Sequence, residues 1–94
     1  MNPCLDRSPY ESCSLNIGCG CLPLSNKATG GLCAFLHVTC SELVSCALNN
    51  EVCYQPGYVC VKHSRCQSRP LCYPMSMATQ SVCPSIPSTS TRII

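Results

Sequence analysis

Cysteine decides how this chain can fold. Twelve of its 94 residues are Cys, at Cys4, Cys13, Cys19, Cys21, Cys33, Cys40, Cys46, Cys53, Cys60, Cys66, Cys72 and Cys83. That is about one residue in eight, above the roughly 8–10% at which a short chain reads as a disulfide scaffold. Sulfurs at this density serve as metal ligands, as a redox centre or as staples. Structural zinc sites favour C-x2-C or C-x4-C pairs, which bring two sulfurs to one ion from a single turn. No C-x2-C occurs here, and no metal or other cofactor is expected. Thiol exchange needs a lowered thiol pKa, yet no Lys, Arg or His lies within five residues of Cys19-Gly-Cys21. The glycines there suit a tight turn that sends neighbouring sulfurs to different partners. Staples remain, and the even count predicts six bridges, or five plus one pair between neighbouring chains. Twelve cysteines allow on the order of ten thousand pairings, so connectivity stays open.

Stapling also answers a shortage of core. With no Trp, one Phe (Phe35) and four Tyr, the chain lacks the aromatic area that dominates most cores, and small domains bury proportionately little surface. A bridge closing a loop of about 15 residues contributes on the order of 3 kcal/mol, mainly by restricting the unfolded chain. Such bonds persist in oxidising surroundings, which predicts a secreted, extracellular protein. Residues 1–20 hold no apolar run suited to a signal-peptide core, and Asp6 and Arg7 interrupt it. The expectation is therefore a mature or partial product. No stretch approaches the roughly 20 apolar residues of a membrane span.

Only 11% of residues are charged and the net charge is +2, against about 25% charged in typical soluble domains. A nucleic-acid footprint, which comes with a strongly basic domain, is not expected. A surface this poor in charge suggests coverage by glycans or by copies of the chain.

Along the chain, residues 1–32 look irregular, punctuated by Pro3, Pro9, Pro23 and glycines, with 22–31 as a surface loop. Leu32–Thr39 fits a strand with Phe35 and His37 on one side. Thr39-Cys-Ser-Glu42 matches a capping box and predicts a helix over 40–48. Val52–Tyr54 and Tyr58–Val61, joined by Pro56-Gly57 in a type II turn, predict a hairpin. Residues 1–83 form one cysteine-rich domain, divisible into sub-modules 1–46 and 47–83, and 84–94 form a Pro/Ser/Thr-rich tail. Cys33, Cys40 and Cys46 share their C-x6-C-x5-C spacing with Cys53, Cys60 and Cys66. None of the eleven intervening residues matches, so chance competes with duplication as the source.

Chemistry-bearing residues are few. One Asp, three Glu, two His and no G-x-S-x-G setting point away from hydrolysis, and the protein is read as no enzyme. Lys62, His63, Arg65 and Arg69 gather near Tyr58 and Tyr73 as a candidate patch for acidic glycans or headgroups; the competing reading is an ordinary exposed loop. No N-x-S/T sequon occurs, so any glycan is O-linked, with Ser85, Ser88, Thr89, Ser90 and Thr91 as candidates.

The motifs Cys-Gly-Cys-Leu-Pro, Val-Cys-Tyr-Gln-Pro-Gly-Tyr-Val-Cys and Arg-Pro-Leu-Cys-Tyr-Pro, followed by the Ser/Thr tail, cover residues 19–83. In these the chain resembles secreted cysteine-rich modules of small aquatic invertebrates, and the resemblance implies extracellular matrix, adhesive or filament material without assigning residue roles. The expected fold is small, disulfide-rich and loop-rich, with short antiparallel strands and one short helix. The favoured function is a self-assembling structural subunit whose partners are its own copies, joined through Met1–Tyr10 and Ile86–Ile94. The runner-up is a monomeric binding module, a toxin, protease inhibitor or receptor ligand, presenting 22–31 or 61–70.

Overall fold

Six disulfides and two small antiparallel sheets, with almost no helix, make up the fold. The computed structural model describes residues 4, 8–25, 30–49 and 52–87. Strands β1 (Cys19–Pro23) and β2 (Gly31–Phe35) pair with Cys21 opposite Cys33. In the second sheet β3 (Val44–Ser45), β4 (Tyr58–Val61) and β5 (Leu71–Pro74) are ordered β3-β5-β4. A bridge between Leu24 and Val61 joins the sheets, with Ser25 N–H to Cys60 O at 3.1 Å and Lys62 N–H to Pro23 O at 2.8 Å.

Where these sheets meet, Leu22, Leu32, Ala34, Leu43, Val61, Leu71, Tyr73 and Ala78 form the apolar core. Burying one such Leu or Val stabilises the fold by about 1.5–3 kcal/mol, so the modest core needs its staples. One cysteine cluster (Cys4, Cys19, Cys21, Cys33, Cys83) and a second (Cys46, Cys60, Cys72) flank it.

The pairs are Cys4–Cys21, Cys13–Cys33, Cys19–Cys83, Cys40–Cys66, Cys46–Cys60 and Cys53–Cys72. None of the twelve sulfurs is free. Three bridges, Cys19–Cys83, Cys40–Cys66 and Cys46–Cys60, cross from residues 1–46 to 47–83. The matching triplets acquire a meaning in this pattern: their second and third members bond to one another in nested, antiparallel fashion, Cys40 to Cys66 and Cys46 to Cys60. Equal spacing lets two segments running in opposite directions meet sulfur to sulfur.

The sequence expectations need correction at several points. The helix over 40–48 reduces to one 3-10 turn at Cys40–Glu42. Thr39 has extended backbone but makes no side-chain cap, and Leu43 is already extended. A nine-residue helix is marginal by itself, and here the tertiary partners compete successfully. Cys40 is bonded to Cys66 in the loop between β4 and β5 and Cys46 to Cys60 within β4, Leu43 enters the core, and Val44–Ser45 pairs with β5.

Residues 1–32 are not wholly irregular, because they contain β1. Cys19, Gly20, Cys21 and Leu22 are all buried, so the alternation that marks a half-exposed strand is missing. Gly20 is a site of close approach rather than a turn: a Cβ there would lie 2.6 Å from Leu36 Cδ1 and 3.2 Å from Tyr10 O.

The predicted hairpin has the wrong partner. Gly57 does take the positive φ (81°) that the turn requires, but β4 pairs with β5, and Val52 forms an isolated bridge with Ala47. Cys53–Cys72 and Cys46–Cys60 hold these segments across β5 rather than along β4.

The first residues of the Pro/Ser/Thr-rich segment are hydrogen-bonded to the domain. Pro84 O accepts from Leu15 N–H at 3.1 Å and from Ser14 Oγ at 2.7 Å. Ser85 exchanges hydrogen bonds with the Gln80 side chain at 2.8 and 3.1 Å.

Candidate functional site

Tyr10, His63 and Arg65 converge on one cleft. Tyr10 has a left-handed backbone, φ 67°, and its N–H donates to Cys21 O at 2.6 Å while Cys21 N–H donates to Glu11 O at 3.1 Å. These bonds lay the segment along β1 and aim the phenol at the loop after β4. There the hydroxyl accepts from the Arg65 backbone N–H at 2.9 Å and lies 2.7 Å from His63 Nδ1. With the Arg65 amide on one lone pair, the phenol proton is available to Nδ1, an arrangement that suits the neutral imidazole protonated on Nε2. The Arg65 guanidinium carbon sits 3.8 Å above the centre of the Tyr10 ring, a cation–π stack.

His63 is only 4% exposed and meets Tyr73 edge-on at 6.0 Å. Burial, followed by the nearby Arg65 charge, lowers its pKa below the ordinary 6.5. Tyr73 is fully buried, donates to the Phe35 carbonyl, and has its pKa pushed up to about 12 by burial and then by Tyr10. The sequence-predicted patch thus divides. Lys62, Arg65 and Arg69 are exposed, whereas His63 and Tyr73 belong to the interior.

The cleft encloses about 430 Å³. Ile17, Leu36 and Val38 supply its apolar wall, and Tyr10, His63 and Arg65 its polar side. His37 lines it too, its ring 5.2 Å from that of Phe35; the strand expected over Leu32–Thr39 ends at Phe35, so His37 lies beyond it. Tyr10 and Ile17 carried no local sequence signal for this role, since the residues they meet come from later in the chain.

Large apolar side chains also stand in solvent, at Leu15, Ile17 (97% exposed), Val44, Leu48, Tyr54, Met75 and Ile86. The Leu15 N–H donates to the Pro84 carbonyl. Tyr54 (74% exposed) and Val44 line a groove of about 280 Å³ beside the second cluster. Beneath that groove the Cys46 and Cys72 sulfurs approach to 3.8 Å and those of Cys46 and Cys53 to 4.0 Å. Three sulfurs within 4.8 Å have the grouping of a metal site, but each is bonded in a disulfide, and metals bind thiolates.

Of the predicted assembly segments, Cys4 and Tyr10 are tied to their own chain and Ile86 is exposed, while residues 1–3, 5–7 and 88–94 lie outside the described residues. The O-glycosylation candidates Ser88, Thr89, Ser90 and Thr91 fall among these. No helix among the described residues is long and apolar enough to cross a membrane. No protein-family model, curated protein or solved structure matches the chain.

Proposed function

We propose that this chain is a secreted, non-catalytic structural subunit that assembles with its own copies into an extracellular filament, coat or adhesive layer. The observation that carries the reading is the set of large apolar side chains left in solvent, Leu15, Ile17, Val44, Leu48, Tyr54, Met75 and Ile86, on a chain with only 11% charged residues. Apolar groups on different segments of one subunit suit heterologous contacts, and such contacts build open fibres when their rotation does not close. Six disulfides and the absence of a membrane-length helix among the described residues are compatible with the extracellular setting. O-linked glycans on Ser85 and residues 88–91 would add to the surface coverage.

The test is light scattering on the non-reduced protein across a concentration series. The mass is expected to rise well above 10.1 kDa, and Ile17→Asp or Tyr54→Asp to return it to the monomer with all six bridges intact. A wild-type monomer at every concentration would end this reading.

The cleft favours a second reading, a monomeric binding module. Its volume and its mixture of apolar wall and few fixed polar groups match small-ligand sites.

A further inference from the structure

The cleft that supports the second reading has a definite chemical bias. Its charged and titratable lining groups among the described residues are Arg65, His37, His63 and Tyr10, with neither Asp nor Glu among them. Among the described residues no carboxylate pairs with Arg65, whose interactions are the Tyr10 ring beneath it and the backbone bond to the Tyr10 hydroxyl. Ile17, Leu36 and Val38 supply its large aliphatic lining. A guanidinium stacked on an aromatic ring keeps its in-plane N–H fork free for a planar bidentate anion. The ring beneath it is itself fixed, since His63 and the Arg65 amide hold the hydroxyl, so little freedom is lost when an anion docks.

We propose that the cleft binds a small amphipathic carboxylate, its apolar body against Ile17, Leu36 and Val38 and its carboxylate on the Arg65 guanidinium. This rests on the binding-module reading but not on assembly, and applies to the isolated monomer.

The probes are octanoate, octanol and octylammonium, titrated into the intact oxidised protein at low concentration. Binding is followed by calorimetry and by the ring-proton shifts of His37 and His63. Octanoate is expected to saturate both rings, with octanol and octylammonium at least about tenfold weaker, the worth of a charge-assisted hydrogen-bonded pair. Arg65→Gln keeps the backbone bond to Tyr10; it should weaken octanoate by about the same factor and leave octanol unchanged. Equal affinity for octanol and octanoate, or tighter binding of the amine, would overturn the carboxylate assignment while leaving a binding cleft. No saturable binding of any probe would overturn the assignment and the binding reading together.

Discussion

The Tyr10 hydroxyl lies 2.7 Å from His63 Nδ1 across 53 residues of sequence. With the Arg65 amide on the same hydroxyl, this contact ties the N-terminal segment to the loop between β4 and β5, close to where Leu24 and Val61 join the sheets. It works with a neutral imidazole. A protonated His63 would turn Nδ1 into a second donor toward an oxygen already accepting from Arg65, with a guanidinium nearby and little water to solvate the charge.

Acid should therefore loosen the fold. The His63 pKa is lowered from 6.5, first by burial and then by Arg65, so below pH 6.5 the unfolded chain takes up the proton more readily. The contribution is fully present above 6.5 and falls away as the pH drops from 6.5 through the folded value. Thermal midpoints followed by circular dichroism should decline over that window and then level off, and His63→Gln should remove this component. An unchanged pH profile in His63→Gln would disprove the assignment.

Tyr73 sets the alkaline limit. Its folded pKa of about 12, raised by burial and then by Tyr10 from 10.0, means that its contribution is intact below pH 10 and lost as the pH rises through 12. One tyrosine should ionise only near pH 12, visible in phenolate absorbance together with loss of structure. Tyr73→Phe should abolish that late step and cost about 1 kcal/mol at neutral pH through the lost bond to the Phe35 carbonyl. A late step that persists in Tyr73→Phe would assign it elsewhere.

What the sequence made legible was set by range. Cysteine density foretold a disulfide scaffold, and Pro56-Gly57 foretold a turn, because both depend on composition or immediate neighbours. The Thr39–Glu42 capping box misled because its local preference competes with two disulfides and the burial of Leu43. β1 escaped notice because its first four residues are buried together, leaving no alternation. The burial of His63 was not legible in the basic patch for the same reason that Tyr10 was overlooked: each is placed by the other, across 53 residues of sequence.

Two glycines should respond unequally to alanine. At Gly20 the closest obstacle is Leu36 Cδ1, the end of a side chain that can move. At Gly31 a Cβ would meet Cys4 O at 2.7 Å and the Cys4 and Cys21 sulfurs at 2.8 Å, a backbone carbonyl and a crosslink that cannot. Gly20→Ala should cost about 1 kcal/mol and Gly31→Ala about 3 kcal/mol, the two ends of the usual overpacking range. Urea unfolding of both variants checks the order, and the reverse order would mean that the Cys4 segment yields more easily than Leu36.

Bridge removal should rank by loop length. Cys19–Cys83 spans 64 residues and Cys46–Cys60 spans 14. In the chain-entropy account these correspond to about 4 and about 3 kcal/mol of stabilisation, since a longer closed loop denies the unfolded chain more freedom. Paired Cys→Ala replacements leave no odd thiol to reshuffle, and both bridges lie in buried clusters, which makes the comparison fair. The first double variant should therefore unfold at lower denaturant than the second, by about 1 kcal/mol in free energy. Should removal of Cys46–Cys60 prove the more damaging, its packing against Cys53–Cys72, sulfur to sulfur at 3.8 and 4.0 Å, would outweigh loop closure, and that bridge would be a core element rather than a staple.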